Sequence, residues 1–412
     1  MSELSYLEKL LDGAKVEWKP LAEVCRFING RAYKQEELLS KGKYPVLRVG
    51  NFFTNQNWYY SDLELDPDKY CDNGDLLYAW SASFGPRIWE NGKSIYHYHI
   101  WKVVPDFNLV CKQFLYYLLQ WDTKALKDAH STGSTMMHIS KAAIEKRLVP
   151  IPCPSNPEKS LAIQSEIVRI LDTFTALTAE LNAELNARKK QYNYYRDQLL
   201  SFEEGEVQWK TLGEVAKYSK TRIGFDKLDK TNYVGVDNLL QNRAGKTQSN
   251  YVPTSGNLTE FLDEDILIGN IRPYLKKIWQ SDCIGGTNGD VLVIRCCDGS
   301  VFSRYLYQVL ADDSFFEYNM QHARGAKMPR GDKDAILKYR IPVPAFDEQK
   351  SIVSILDKFD TLTNSIEEGL PREIALRQQQ YEYYRDLLFS FPNLQAPLTD
   401  KPEATARSAF CF

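Results

Sequence analysis

The chain has 412 residues, with 51 lysines and arginines against 54 aspartates and glutamates and a formal charge of −3 at pH 7. That length is enough for two domains with cores of their own. The slight acidity argues against a protein that coats nucleic acid nonspecifically, and the lack of any run of 18 apolar residues argues against a transmembrane helix.

The chain opens on MSELSYLEKLLDG, which has no apolar signal core, so a cytoplasmic location without export is expected. The eight cysteines are scattered with no C-x-x-C pair, as expected for reduced thiols without a metal. Tyr6, Leu10 and Leu11 then precede Val16-Glu17-Trp18-Lys19. This pattern returns far down the chain, where Tyr195, Leu199 and Leu200 precede Val207-Gln208-Trp209-Lys210.

Residues 1–155 read as a first α+β domain. Leu76–Tyr78 and Ile100–Val104 have strand character, and Phe114–Leu119 reads as a helix. Two loops carry small polar and basic residues: Trp80 to Arg87, and Ser131 to Thr135. Residues 205–345 match this domain only at anchor points. Gly74-Asp75-Leu76-Leu77 corresponds to Glu264-Asp265-Ile266-Leu267, Phe114–Leu119 to Tyr305–Leu310, and Val149-Pro150-Ile151-Pro152 to Ile341-Pro342-Val343-Pro344. Val291–Ile294 is the matching strand, and the matching loops run from Asn270 to Lys277 and from Ala323 to Lys327. Gly, Ser, Thr, Asn and Arg on such loops suit contacts to phosphates and base edges; for any single residue ordinary loop chemistry is the better explanation, and the case rests on matching loops that differ in side chains on a kept scaffold.

Each domain is followed by a more strongly repeated segment, 156–204 and 346–391. In the first, Ile163, Ile167, Ile170, Phe174, Leu177 and Leu181 alternate four and three, and the seam resumes through Arg188, Tyr192, Tyr195, Leu199 and Phe202. Asn156-Pro157 supplies an N-cap and a first-turn proline, so a helix of ~65–70 Å is expected. In the second segment Gly369-Leu370-Pro371 should kink or interrupt the helix. QYNYYRD at 191–197 returns as QYEYYRD at 380–386, for which aromatic core packing and partner docking are compatible readings. Thr178-Ala179-Glu180-Leu181 and Asn182-Ala183-Glu184-Leu185 form a tandem tetrad. One tetrad changes helix length by about 6 Å, one or two base-pair steps of B-DNA.

The period of about 190 residues is far too long for a solenoid. The expected fold is therefore α+β, with two similar globular domains separated by an antiparallel pair of long helices (a coiled coil) in a pseudo-twofold internal repeat. Residues 392–412 have no counterpart in the repeat and are expected to be a disordered tail.

Several motifs do not carry chemistry. Gly245-Lys246-Thr247 has Leu240 where a P-loop needs its first glycine. Asp106 and Asp122-Thr123-Lys124 imitate a nuclease pattern without a counterpart in the second half, and Asp122 is expected to cap a helix end. The five histidines show no triad-like or metal-like grouping in sequence. A stand-alone nuclease and a structural adaptor that reads no DNA are the competing functional classes.

The segments NPEKSLAIQSEIVRILDTFTALTAELNAEL, RKKQYNYYRDQLLSF and QQQYEYYRDLLFSF resemble the specificity subunits of type I restriction-modification enzymes, the IC subfamily in particular. The resemblance implies a non-catalytic subunit whose two target-recognition domains each read one half of a split double-stranded DNA target. It implies two methyltransferase subunits and nuclease-translocase subunits as partners, with S-adenosylmethionine held by the methyltransferases and no cofactor on this chain. DNA contacts are then expected from Arg48, Asn51, Ser83, Arg87, Thr132, Ser134 and Thr135 in the first domain. In the second they are expected from Arg222, Asn270, Arg272, Tyr274, Lys276, Arg324, Lys327 and Arg330. Partner docking is expected at Tyr192, Tyr195, Arg196, Tyr381, Tyr384 and Arg385.

Overall fold

A computed structural model describes residues 6–81, 83–130, 138–365 and 368–392, with backbone alone for 124–130. The expected tail beyond Pro392 and the residues Thr132, Ser134 and Thr135 lie outside this set. The chain divides into two compact units, one formed by the stretch up to Thr175 together with that from Gln380 onward, the other by Ala176–Gln379. The division falls inside the two helical segments, not at their ends.

The repeat anchors prove to be each other's partners. Val16–Pro20 pairs antiparallel with Leu148–Pro152, placing Trp18 opposite Pro150. Gln208–Thr211 pairs in the same way with Arg340–Val343, placing Trp209 opposite Pro342. Each short ribbon thus closes its unit by joining the segment's beginning to its end. Proline is tolerated there because a two-stranded ribbon has only edge strands.

Each unit carries one four-stranded antiparallel sheet of identical order. In the first it runs Cys25–Asn29, Ile100–Pro105, Leu76–Ala79, Gly85–Ile88. In the second it runs Ala216–Tyr218, Val291–Cys296, Ile266–Gly269, Ile278–Gln280. The central strands are continuously apolar because both faces are covered. Leu76, Leu77, Tyr78 and Ala79 are all buried, as are Ile266, Leu267 and Ile268.

The second sheet of each unit shares only three strands. Ser94–Tyr96 lies between Tyr44–Leu47, parallel to it, and Tyr70–Cys71, antiparallel. Gly285–Thr287 lies likewise between Tyr233–Val234, parallel, and Asn257–Phe261, antiparallel. The fourth strand is added at opposite edges: Tyr59–Ser61 beside the parallel strand in the first unit, Arg222–Gly224 beside the antiparallel one in the second. This is where the two units diverge.

The helix after the first domain runs Pro157–Leu200, 44 residues or about 66 Å. Asn156 caps it by accepting the amide of Lys159 at 3.0 Å. Its buried line in the first unit is Ile163, Ile167 and Leu171, not Ile170, which is half-buried. This stretch packs on a domain core, which favours an i, i+4, i+8 stripe over a narrow heptad seam. Leu177, Leu181, Leu185 and Arg188 are half-buried further on. The second helical segment is interrupted as expected, into Phe346–Asn364 and Gly369–Phe389. Pro371 sits in the first turn of the new helix, where no intrahelical partner is needed for its missing N–H. Gly369 has a φ of +77° and lies so close to the Thr361 and Leu362 carbonyls that a Cβ would come within 2.4 and 2.8 Å of their oxygens.

Both helical segments begin with a buried glutamine doing the same work. Gln164 accepts from Cys111 N at 2.9 Å and donates to Leu109 O at 2.8 Å. Gln349 accepts from Phe302 N and donates to Ser300 O, both at 2.8 Å. Each satisfies the backbone just before a domain helix (Lys112–His130 and Ser303–Leu310), where an unpaired buried group would be costly.

The first unit's core also recruits both ends of the described chain. Leu7 and Leu11 from helix Tyr6–Leu11 join Leu388, Phe389 and Phe391 in one cluster with Phe114, Ile163 and Ile167. The second unit's core gathers Tyr192, Leu306, Leu310, Ile352 and Leu356.

Candidate nucleic-acid interface

In the second unit the two loops singled out in the sequence meet, and in the first the loop after Leu76–Ala79 meets His138 and Ile139, while Ser131–Thr135 lie outside the described residues. In the second, Ile271 forms an isolated antiparallel bridge with Arg330, and the Arg272 amide donates to Pro329 O at 2.7 Å. Arg324 and Arg330 exchange backbone hydrogen bonds of 2.9 Å, closing a tight loop over Gly325 to Pro329. In the first, Ser81 bridges His138 and the Ile139 amide donates to Trp80 O at 3.0 Å. The meeting follows from topology. The first loop leaves a central strand, and the second returns toward the closing ribbon past the same sheet end.

The second unit's loops hold a graded set of basic groups. Lys327 is exposed, and Tyr274 is about half exposed. Arg272 and Lys276 both take left-handed backbone angles, φ 53° and 50°, around the turn Pro273–Leu275. Such conformations cost a non-glycine residue about 1 kcal/mol or more and recur at functional loops. Lys276 Nζ lies 2.8 Å from Asp313 Oδ1, a carboxylate it shares with Arg243. Arg324 pairs with Asp332 at 2.6 Å, and Arg330 with Asp290 at 3.1 Å. Beneath them, the buried amides of Asn270 and Asn319 have oxygen or nitrogen atoms without hydrogen-bond partners. Gly331 lies against both: a Cβ there would come within 2.3 Å of Asn319 Oδ1 and 2.7 Å of Asn270 Oδ1. Arg222 lies apart from these loops, on the edge strand Arg222–Gly224, bonded to Thr259 Oγ1 at 3.0 Å.

The first unit places its expected contacts differently. Arg87 is on the strand Gly85–Ile88, not in the loop, and donates to Phe52 O at 2.6 Å. By strand register it sits opposite Leu77, as Trp279 sits opposite Leu267. By that register the second unit's connection is two residues longer, and a position-by-position match of Arg87 with Lys277 does not hold. Ser83 is exposed in the loop. Asn51 is buried, and its amide is consumed by Asn55 O and Asn57 O at 3.0 and 2.8 Å. Arg48 stacks 4.4 Å over the Tyr59 ring and donates to Asn57 O at 3.3 Å.

Three histidines that show no grouping in sequence gather here. Trp80 packs edge-on to His99 at 4.9 Å and near His138 at 5.9 Å, and His97 lies 4.9 Å from His99. Burial, then His99 and Arg48, hold His97 down at about 4, and burial followed by His138 lowers His99. Only the H-Y-H spacing at 97–99 hinted at this cluster; His138 joins it through the Ser81 bridge. Among the described residues no group of histidine, cysteine and carboxylate side chains is arranged to hold a metal. Asp122 is not a helix cap. It lies within helix Lys112–His130 and pairs with Arg147.

The repeated heptapeptide splits by face. Tyr192, Arg196 and Arg385 are buried in their own units, so core packing is the role their burial supports. Tyr192 stacks on Phe359 at 5.8 Å and bonds Gln308, with the Arg196 guanidinium 4.1 Å above its ring. Tyr381 is half-buried. Tyr195 and Tyr384 are exposed yet stack on Phe359 and Phe174, each at 5.4 Å. The outward aromatics that sequence reasoning passed over are Tyr194 and Tyr383, 60% and 65% exposed.

Two copies of one mixed helix–sheet module, each with the loop from a central strand bonded to a later segment of the chain, define a duplicated recognition protein. A family model described as "Type I restriction modification DNA specificity domain" matches residues 14–188 and again 204–376. The chain belongs to that family and contains two such domains. It is 39% identical over 413 aligned residues to the EcoR124I/EcoR124II specificity subunit of Escherichia coli, covering 95% of this chain and 98% of that one. It is 33% identical to the EcoprrI specificity subunit of the same organism, covering 89% and 93%. The fold matches the S subunit of a type I restriction-modification system from M. genitalium with a TM-score of 0.56 at 14% identity, over 93% of this chain and 98% of that one. Among the described residues no helix is long and apolar enough to cross a membrane.

Proposed function

We propose that this chain is the non-catalytic DNA-reading subunit of a type I restriction-modification complex. Each unit reads one half of a bipartite double-stranded target through the loop pair at its sheet end. The single observation carrying this reading is the duplicated corner: one backbone frame, two sets of displayed side chains. Lys327, Arg272, Arg324 and Arg330 are suited to phosphates and base edges in the second unit, and Ser83 and Arg48 in the first. The two helical segments pair antiparallel and act as a ruler that sets the unread spacer. Two methyltransferase subunits dock along them at the outward tyrosines, nuclease-translocase subunits join these, and the assembly works in the cytoplasm. S-adenosylmethionine is bound by the methyltransferases, which flip the target adenine.

The test is methylation mapping in a host carrying this chain and its partner subunits. The expected result is a split motif whose gap lengthens when one tetrad is inserted after Leu185. Modification without a split motif, or a gap unchanged by the insertion, overturns the reading.

A further inference from the structure

The two loop corners superpose in their hydrogen bonding. In the second unit Asn270 N donates to Asp290 O at 2.8 Å, and Gly331 N donates to Asn270 O at 3.2 Å. In the first unit Trp80 N donates to His99 O at 3.1 Å, and Ile139 N donates to Trp80 O at 3.0 Å. The bridges Ile271 to Arg330 and Ser81 to His138 complete the match. Asn270, Asp290 and Arg330 therefore occupy the same three backbone positions as Trp80, His99 and His138. The backbone is held constant while the chemistry changes from an amide with an ion pair to an indole with two imidazoles.

In both units the third position is the outermost: Arg330 and His138 are exposed, Asp290, His99 and Trp80 are half-buried, and Asn270 is buried. Arg330 remains 57% exposed while Asp290 grips it from one side, which fixes the direction of its fork. A guanidinium held this way matches the two acceptors on the major-groove edge of guanine. His138 offers one ring nitrogen at the same place, so its reading is a single hydrogen bond backed by the Trp80 ring. Neither outer side chain is needed to close the core, since both lie on the solvent side of their bridge.

We infer that His138, positioned by Trp80 and His99, is the principal base-reading group of the first unit, and that Arg330, positioned by Asp290, is its counterpart in the second. The inference rests on the DNA-reading function proposed above and assigns the histidine cluster, which no motif marks, to specificity. Asp290 and His99 are positioning residues and do not themselves touch DNA.

The experiment selects bound sequences from duplexes randomised in both half-sites, using the full-length chain assembled with its methyltransferase subunits. His138→Ala should flatten the preference at one or two base pairs of one half-site by about ten-fold, the scale of one good base contact. The other half-site should be unchanged, which serves as an internal control for folding and assembly. Arg330→Ala should do the reverse. Asp290→Asn should weaken the same base pair as Arg330→Ala, and Arg330→Lys should fail to restore it because an ammonium lacks the fork. Preferences unaltered in both half-sites, or a uniform loss of affinity with preferences intact, overturn the inference while leaving the DNA-reading function standing. A wild-type assembly with no preference in either half-site overturns that function and the inference together.

Discussion

Trp121 donates its indole N–H to the carboxylate of Asp386, 3.1 Å away and 265 residues further along the chain. The indole also lies 5.6 Å from the Phe389 ring. In the repeat, Asp312 stands where Trp121 does and Asp197 where Asp386 does. A donor–acceptor pair in one unit is thus replaced by two carboxylates in the other. The Asp197 carboxyl is raised above the usual carboxylate range by burial and then by Asp312 and Asp313.

Asp312→Asn should therefore stabilise the second unit at neutral pH. Asparagine still caps the helix Asp313–Gln321, where Asp312 now accepts from Ser314 N at 2.9 Å. A folded-state pKa raised above the unfolded value favours folding at low pH and loses that advantage as pH rises. The gain should accordingly shrink on acidification through the carboxylate range. Thermal denaturation at several pH values checks this, and an equal gain at every pH would point to another cause.

A chain stopped after Gln379 should keep a folded second unit and lose the first. It removes Leu388, Phe389 and Phe391, which are 1%, 1% and 5% exposed. At about 1.5–3 kcal/mol each, their loss rivals the roughly 5–15 kcal/mol stability of a domain. Amide hydrogen exchange should show protection retained in strands such as Ile266–Gly269 and lost in Leu76–Ala79. Protection kept in both would refute the assignment of these side chains to the first core.

Gly369→Ala should destabilise the second unit by about 1–3 kcal/mol. The positive φ disfavours any side chain, and the atoms a Cβ would meet are backbone carbonyl oxygens of Thr361 and Leu362 that cannot swing away. The urea midpoint reads this directly, and an unchanged midpoint would mean that the helix junction relaxes freely.

The first unit should lose stability as pH falls from 6.5 toward 4. His97 is held at about 4 from an ordinary 6.5, chiefly by burial, so across that window the unfolded chain binds the extra proton. His97→Asn should flatten the slope. Denaturation of both forms at neutral and mildly acidic pH checks it, and equal slopes would show that other groups control the acid limb.

What was legible in the sequence was mostly what is local or repeated. The Asn156-Pro157 start, the break near Gly369, and the strands at Leu76, Ile100, Ile266 and Val291 all follow from short-range chemistry or from the repeat. Contacts made by long-range pairing were less readable. Asp122 looks like a helix cap until Arg147, 25 residues away, is folded beside it. Ile170 fits a heptad better than Leu171, yet a domain core selects the other stripe. Arg87 has loop composition around it, but its strand register is decided by Leu77. The histidines lack a motif because the bridge to Ser81 assembles them. The fourth strand of each second sheet was hidden for the same reason, since nothing local distinguishes one sheet edge from the other.

The first unit draws on both ends of the described chain, whereas the second is one uninterrupted stretch. During synthesis the opening recognition domain leaves the ribosome first but must wait for Leu388 and Phe389 before its core can close. The later domain has all its parts as soon as residue 379 emerges. Maturation therefore runs against the order of translation, and ribosome-stalled chains ending just beyond the exit tunnel after 379 should resist protease in their later half while their earlier half is still cut.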